Sequence, residues 1–454
     1  MQRTFAVIAV ATLISMKAAG AAMVVEDAGV APRASLDVAT LLSAARGAPP
    51  LICAMAAASV RGWGWNNWSD APATPLGAVA SVRDAARNEP LPAADIDRLL
   101  SALASDDACV RELSIRVLGG QKGDRVSSAL MSRLSADDAS MRELAAFGLG
   151  MLQPATAVDP LIKVLRDPSA GVRANAAWAL GHLESGRALV TLVALFHDDA
   201  EKVREAAVVA AGRIDSTSSI AALMRVLQQD ESPAVRRVAA WALGQKEARE
   251  ASEVLAASLG KESDPRVREM IAWAIGNSGG GGATSALTNA LRRDADDTVR
   301  ESAAWALAEI GDRSAVDLLG EVAANDKSSR VRGTAAWAIG QLQGNGTKAS
   351  AGLLRELKDE NDDSRLKAAW ALGNIADASA LADIREALKV EKSSSVRRGL
   401  VRALIKSGGH SEETLTELLK SNDPSVREAA VRGLVGNNAF NPWPWPWPRP
   451  RPFP

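Results

Sequence analysis

The sequence contains no tyrosine, only five phenylalanines, two cysteines and three histidines. Cys53, Cys109, His182, His197 and His410 are scattered without zinc-ligand spacing, so neither a metal centre nor a cofactor is expected. The same shortage of imidazoles leaves a hydrolytic triad almost without a base, and no enzyme is expected. Excess charge of either sign is also missing: 53 Lys and Arg against 54 Asp and Glu give a formal net charge of −1. That balance argues against a general electrostatic grip on nucleic acid or anionic membrane. The longest apolar run near the start, residues 5–16, is twelve residues, too short for a comfortable membrane span. What the chain does have is 47% hydrophobic residues, largely Ala, Leu and Val, and twelve tryptophans. An Ala-, Leu- and charge-rich composition favours helix.

Residues 1–21 read as a secretory signal. Arg3 supplies a positive start, the apolar run follows, and Ala19-Gly20-Ala21 fits an A-x-A cleavage site. The mature protein is therefore expected to be soluble, in the periplasm or outside the cell. An exported chain with two cysteines invites a Cys53–Cys109 disulfide.

From about residue 110 to 434 one stretch recurs. Its clearest copy is Val-Arg-Arg-Val-Ala-Ala-Trp-Ala-Leu-Gly at 235–244, with near-copies at 172–181, 267–276 and 331–340. Looser copies stand at 299–308 and 364–373. Aligned on the arginine, the units fall at Arg111, Arg142, Arg173, Arg204, Arg236, Arg268, Arg300, Arg332, Arg365, Arg397 and Arg427. That makes eleven units spaced by 30 to 33 residues. Each reads as helix, turn, helix and an Asp-rich turn, and such units bury their apolar faces only by stacking. The fold class is all-α: a solenoid of about eleven helical hairpins over residues 101–437, preceded at 22–100 by a helical cap. Within that cap Trp63, Trp65 and Trp68 lie in a loop that either folds onto the cap or stands out to bind.

Aspartate shortly before Val-Arg-x-x-Ala-Ala-x-Ala-Leu-Gly resembles the HEAT-like repeat first associated with phycobilisome bilin lyases. The resemblance implies a right-handed α–α superhelix used mainly to hold other proteins. Some HEAT-repeat enzymes hold two irons through His-Glu pairs, but here no histidine is followed by glutamate. A bilin-lyase-like or chaperone-lyase subunit is an alternative with no residue-level support, and export speaks against it.

Within the 172–181 copy, Val172, Ala176, Ala179 and Leu180 fall on one helical stripe, predicted to be the buried one. Each Val-Arg helix is expected to end near its glycine or a polar turn, as at Gly181, Gly244 and Gly340. Arginine in a first helical turn is mildly unfavourable against the helix dipole, so its recurrence predicts partners among the acidic turns. Tryptophan holds the seventh position at Trp178, Trp241, Trp273, Trp305, Trp337 and Trp370. The wheel puts it beside the buried stripe, where it either packs between repeats or forms an aromatic binding strip. Gly276-Asn277-Ser278-Gly279-Gly280 imitates a serine-protease nucleophile, but it falls where other units have a helix end and turn.

After Gly436 the pattern stops, and residues 438–454 form a Pro/Trp/Arg-rich tail. Alternating proline excludes helix and sheet and favours a polyproline II rod. Trp443, Trp445, Trp447, Arg449, Arg451 and Phe453 are its candidate partner-binding residues. The tail covers the last repeat, docks on a protein, or touches a membrane interface, where Trp and Arg are well suited. The chain is thus expected to be an exported protein-binding scaffold. The second helix of each unit is expected to line the concave wall, with mixed polar residues such as Lys163, Arg225, Glu253, Thr288, Arg355, Arg385 and Glu413.

Overall fold

A computed structural model describes residues 37–49, 90–121, 123–279, 281–344, 347–408 and 412–434. The signal segment, Cys53, the loop tryptophans Trp63, Trp65 and Trp68, His410 and the tail residues Trp443 to Phe453 lie outside the described residues. Among the described residues there is no strand, and no helix is long and apolar enough to cross a membrane. Eleven Val-Arg helices, from Ala108–Leu118 to Pro424–Leu434, alternate with shorter second helices such as Ile220–Gln229 and Leu381–Val390. Many second helices open with a single 3-10 turn, as at Thr217–Ser219, a feature that periodicity alone does not signal. The result is a HEAT-like superhelix of consecutive packed hairpins.

The Val-Arg helix is buried on far more than one stripe. In Ala170–His182, Val172, Ala174, Ala176, Ala177, Ala179 and Leu180 are each at most 1% exposed, and Asn175 is buried with them. The reason is position. Each Val-Arg helix packs along its length against the Val-Arg helices of both neighbouring units and against second helices as well. Alanine suits such crowding, because two helices faced with it can approach closely without interlocking bulk.

Glycine at the tenth position does not end the helix. Gly244 lies inside Pro233–Gln245 and Gly340 inside Ser329–Leu342. A Cβ added at Gly244 would stand 2.6 Å from Cζ3 of Trp273 and 2.9 Å from Cα of Ala274, in the next unit. Gly150, Gly212, Gly276 and Gly340 meet the following Trp and Ala in the same way. The tenth position is therefore a close-approach site, and the residue it admits is the tryptophan of the next repeat.

The arginines form a continuous ladder. Arg142 donates from Nε and Nη2 to the two carboxylate oxygens of Asp167 at 2.7 and 2.8 Å. Arg173 holds Asp198 with the same fork, at 2.7 and 2.8 Å. The pattern continues through Arg204–Asp230, Arg236–Glu262, Arg268–Asp294, Arg300–Asp326, Arg332–Asp359, Arg365–Glu391 and Arg397–Asp423. In each pair the acid lies in the turn leading into the next Val-Arg helix, so the bond crosses from one unit to the next. The main chain closes the relay: Arg173 Nη1 donates to the carbonyl of Asp167 at 2.8 Å, and Arg204 Nη1 to that of Asp198 at 3.0 Å. Asp167 also accepts from the Ser169 amide, helping to start the next helix. Arg111 has no such acid, because the corresponding residue is Ala136; its Nη1 donates to the carbonyl of Ser105.

Burial by itself would raise the carboxyls of Asp167, Asp198, Glu262 and Glu391. Burial is the largest single influence, but the arginine hydrogen bonds, main-chain amides and arginine charges together outweigh it and hold all four below the ordinary carboxylate range. Glu356 behaves oppositely. It is 2% exposed, burial and the neighbouring Asp359 push its pKa up to about 8, and Arg332 is shared between the two acids.

Candidate functional site

Successive Val-Arg helices touch along their length, while successive second helices mostly touch at only a few places. A two-row array bends toward the row with the shorter spacing. The inner wall is therefore lined by the Val-Arg helices, not by the second helices. The sequence reading placed the wall on the wrong row because it weighed polarity, whereas curvature is set by how closely the alanine- and glycine-faced helices approach.

On a Val-Arg helix the third, seventh and eleventh motif positions are four residues apart and share a face. The seventh position is a row of rings. Trp241, Trp273, Trp305, Trp337 and Trp370 are between 1% and 8% exposed, and all but Trp337 lie against the tenth-position glycine of the preceding unit. Trp178 is half-buried and stacks on Phe147 at 5.2 Å, with His182 4.3 Å away. Trp337 and Trp370 stack at 6.3 Å and 20°. Towards the ends arginine takes over. Arg116 lies over the Phe147 ring at 5.7 Å, and Arg402 sits over Gly373 where an indole would otherwise be.

On either side of the rings the groups are polar. The eleventh position presents Gln245, Asn277, Glu309 and Gln341 to solvent and Asn374 half-buried. The third position carries Glu143, Glu205, Arg237, Glu269 and Glu301, all half-buried. Partial burial shifts several groups on this side of the helices. Burial raises the carboxyl of Glu309, and burial with Asp296 and Glu301 nearby raises that of Glu269. Burial and Arg213 lower His182 to about 4, and burial lowers Lys246 and Arg402.

Between the units of Val203 and Val235 the strip deepens into a recess of about 430 Å³, lined in part by Arg213, Ser216, Thr217, Trp241, Gln245 and Lys246. Lys246 is already committed there: Nζ donates to the carbonyls of Ile214 and Ser216 at 2.6 and 2.7 Å. Hydroxyls, an amide, a guanidinium and an indole edge suit holding a ligand. The recess contains no paired nucleophile and base. Elsewhere, Ser278 of the protease-like glycine run is buried and donates to the Ala274 carbonyl at 2.7 Å, so it is a helix residue and not a nucleophile. Among the described residues no group of His, Cys, Asp and Glu is arranged to hold a metal. Cys109 is buried at the start of Ala108–Leu118, while Cys53 lies outside the described residues.

The sequence placed six tryptophans correctly at one motif position but could not decide between packing and display. The deciding signal was the partner four positions on: a residue that faces the same way as the ring and is exposed and polar marks the inner wall.

Comparison with known proteins agrees with this architecture. No curated protein is significantly similar in sequence. Among solved structures, importin β in an ammonium sulfate condition superposes with a TM-score of 0.59 at 14% identity, covering 87% of this chain and 64% of that one. Yeast importin β (Kap95p) gives 0.55 at 14%, covering 88% and 62%. The chain thus spans less than two thirds of either importin β, and at such identity the likeness concerns the fold alone. A family model for HEAT repeats matches residues 127–212, 192–276, 220–307, 284–357 and 350–435, so the chain belongs to the HEAT-repeat family.

Proposed function

We propose that the protein is an exported, non-catalytic scaffold that holds one or more protein partners along its inner strip. The observation behind this reading is that the strip is built from the same three motif positions of successive units, and that several of its polar groups take no part in holding the fold. Gln245, Asn277, Glu309 and Gln341 are exposed there, whereas the arginines and ladder acids are consumed between units. A surface fixed in advance by a bonded ladder loses little ordering entropy when a partner docks. Export is supported by the composition of residues 1–21, and the tail at 438–454 supplies an accessory docking element through Trp443, Trp445 and Trp447. Crosslinking in intact cells followed by mass spectrometry tests the reading. Partners should couple to the wild-type chain and be lost from a Glu309→Lys, Gln341→Ala variant that melts normally. Partners captured equally by both chains would move the binding surface elsewhere. Amino-terminal sequencing of the mature protein, starting near residue 22, checks export; an intact residue 1 refutes it.

A further inference from the structure

Residues 442–454 alternate proline with tryptophan, arginine and phenylalanine, and their seven prolines have no N–H to donate. The segment therefore offers carbonyl acceptors, aromatic faces and two positive charges, with few main-chain donors of its own. It begins a few residues after the last described helix, Pro424–Leu434.

The inner strip offers the complement in matching order. Nearest that helix it is cationic and donor-rich: Arg398, Arg402 and Lys406 hold the third, seventh and eleventh positions of one unit. Arg402 Nη1 is buried and has no acceptor among the described residues. Next come Asn374, whose Oδ1 accepts from Arg402 Nη2 at 3.2 Å, and the exposed amide of Gln341, beside the stacked Trp370–Trp337 pair. Beyond them the strip turns acidic. Glu309 is open to solvent, and no cation is within ion-pair distance among the described residues. Glu301 and Asp297 stand on the same helix, sharing only Arg330, at 3.7 and 3.1 Å.

The lengths agree within the proline-alternating stretch. Trp443 and Arg449 lie six residues apart, two turns of a polyproline II rod, so they share a face and stand ~19 Å apart at about 3.1 Å per residue. The Asp362–Ile375 and Asp297–Glu309 helices are two units apart, ~16–20 Å for helices packed about 8–10 Å apart.

We infer that the tail lies along the inner strip of its own chain, running back from the last unit. Trp443 covers Arg402 where that side chain reaches Asn374, and Arg449, on the same face two turns on, faces Glu309. Charge sets the register. The arginines are repelled by Arg398 and Lys406 and attracted only after the aromatic stretch, while the indoles gain a cation–π contact with Arg402. A stiff rod tethered beside its groove has a high effective concentration, so an outside partner must displace it. This does not depend on the scaffold reading: a chain that captured no partner could still hold its own tail, and the reverse.

The experiment uses the full chain and a fluorescein-labelled synthetic peptide of residues 438–454. Arg449→Glu with Arg451→Glu should release the tethered tail and vacate the strip. The labelled peptide should then bind this variant about tenfold or more tighter than it binds the unaltered chain, whose own tail competes. Adding Glu309→Lys to the variant should cancel the gain, with circular dichroism melting confirming that the array still folds. If that chain does not fold, Gln341→Ala replaces it with the same expected loss. Equal binding to the unaltered and charge-reversed chains overturns the inference, as does binding to neither, or binding indifferent to both strip substitutions.

Discussion

Gly244→Ala sets two effects of opposite sign against each other, and the structure decides between them. In an open helix interior, alanine for glycine stabilises by about 0.8–1 kcal/mol. At Gly244 the new Cβ would lie 2.6 Å from Trp273 Cζ3 and 2.9 Å from Ala274 Cα. Non-bonded carbons prefer about 3.5–4.0 Å, so ~1 Å must be found. Ala274 Cα is main chain, and Trp273 is itself enclosed, so the whole next unit has to shift. That shift pulls on the Arg236–Glu262 fork, now 2.7 and 2.9 Å, that ties the same two units. Overpacking of this kind costs about 1–3 kcal/mol, and with the propensity gain subtracted the variant should be destabilised by up to ~2 kcal/mol, where the open-helix case would be stabilised. Gly320→Ala is the control. Its Cβ would meet Ser350 no closer than 3.4 Å, so it should stabilise by up to about 1 kcal/mol. Because stacked repeats need not unfold in one step, the primary readout is hydrogen exchange of the Pro265–Ser278 helix, with urea unfolding alongside. A Gly244→Ala chain as stable as Gly320→Ala would refute the close-approach role of the tenth position.

Three further outcomes follow from the charges. Arg300→Gln strands Asp326 in a pair whose side chains are 6% and 9% exposed, and should cost about 2–4 kcal/mol in urea unfolding; Arg187→Gln, from the open pair with Asp159, should cost under about 0.5 kcal/mol. Asp167, Asp198, Glu262 and Glu391 titrate lower folded than unfolded, so their contribution is complete above the unfolded carboxylate range near 4. It is lost as pH falls through the lower folded values, and melting temperature should drop steeply below about pH 4, with a flat profile refuting the ladder's role. Glu356 has the reverse sign: its folded pKa near 8 lies above the unfolded one, so it erodes stability as pH rises from about 4.5 through 8. Glu356→Gln should therefore gain melting temperature over wild type progressively between pH 5 and 9, and a constant difference would contradict the burial argument.

The fold was legible because the repeat imposes the same constraint eleven times, so Arg236 and Val235 are read correctly even where single units are worn. Partners for the arginines were also legible: a cation in a first turn needs compensation, and the acids stood nearby. What the sequence hid was which unit supplies the acid. Asp167 precedes Arg173 closely in sequence, yet its carboxylate binds Arg142 and only its carbonyl serves Arg173. Gly244 was placed correctly beside a helix end, since its helix closes at Gln245, but its close approach to Trp273 was hidden, because only the neighbouring unit shows it. The inner wall was hidden for the same reason, since spacing between units is not a local property.

That distinction also says where specificity can reside. Positions that bond one unit to the next are not free to vary, because a change at Arg268, Ala274 or Gly276 disturbs a junction. Departures from the motif on the inner wall disturb less and therefore carry information. They are not evenly spread. Val209 interrupts the tryptophan row beside the recess at Arg213 and Lys246. In the Asp297–Glu309 helix the tenth position is Ala308, not glycine, and the eleventh is Glu309, not an amide. A unit that departs from the motif at two adjacent positions, one contacting the next repeat and one open to solvent, has its junction and its surface altered together. If binding follows the array's irregularities, exchanging Glu309 for the glutamine found at 341 should leave melting nearly unchanged and shift ligand preference away from cations. The exchange of Asn277 for glutamine, which alters no charge, should leave both unchanged.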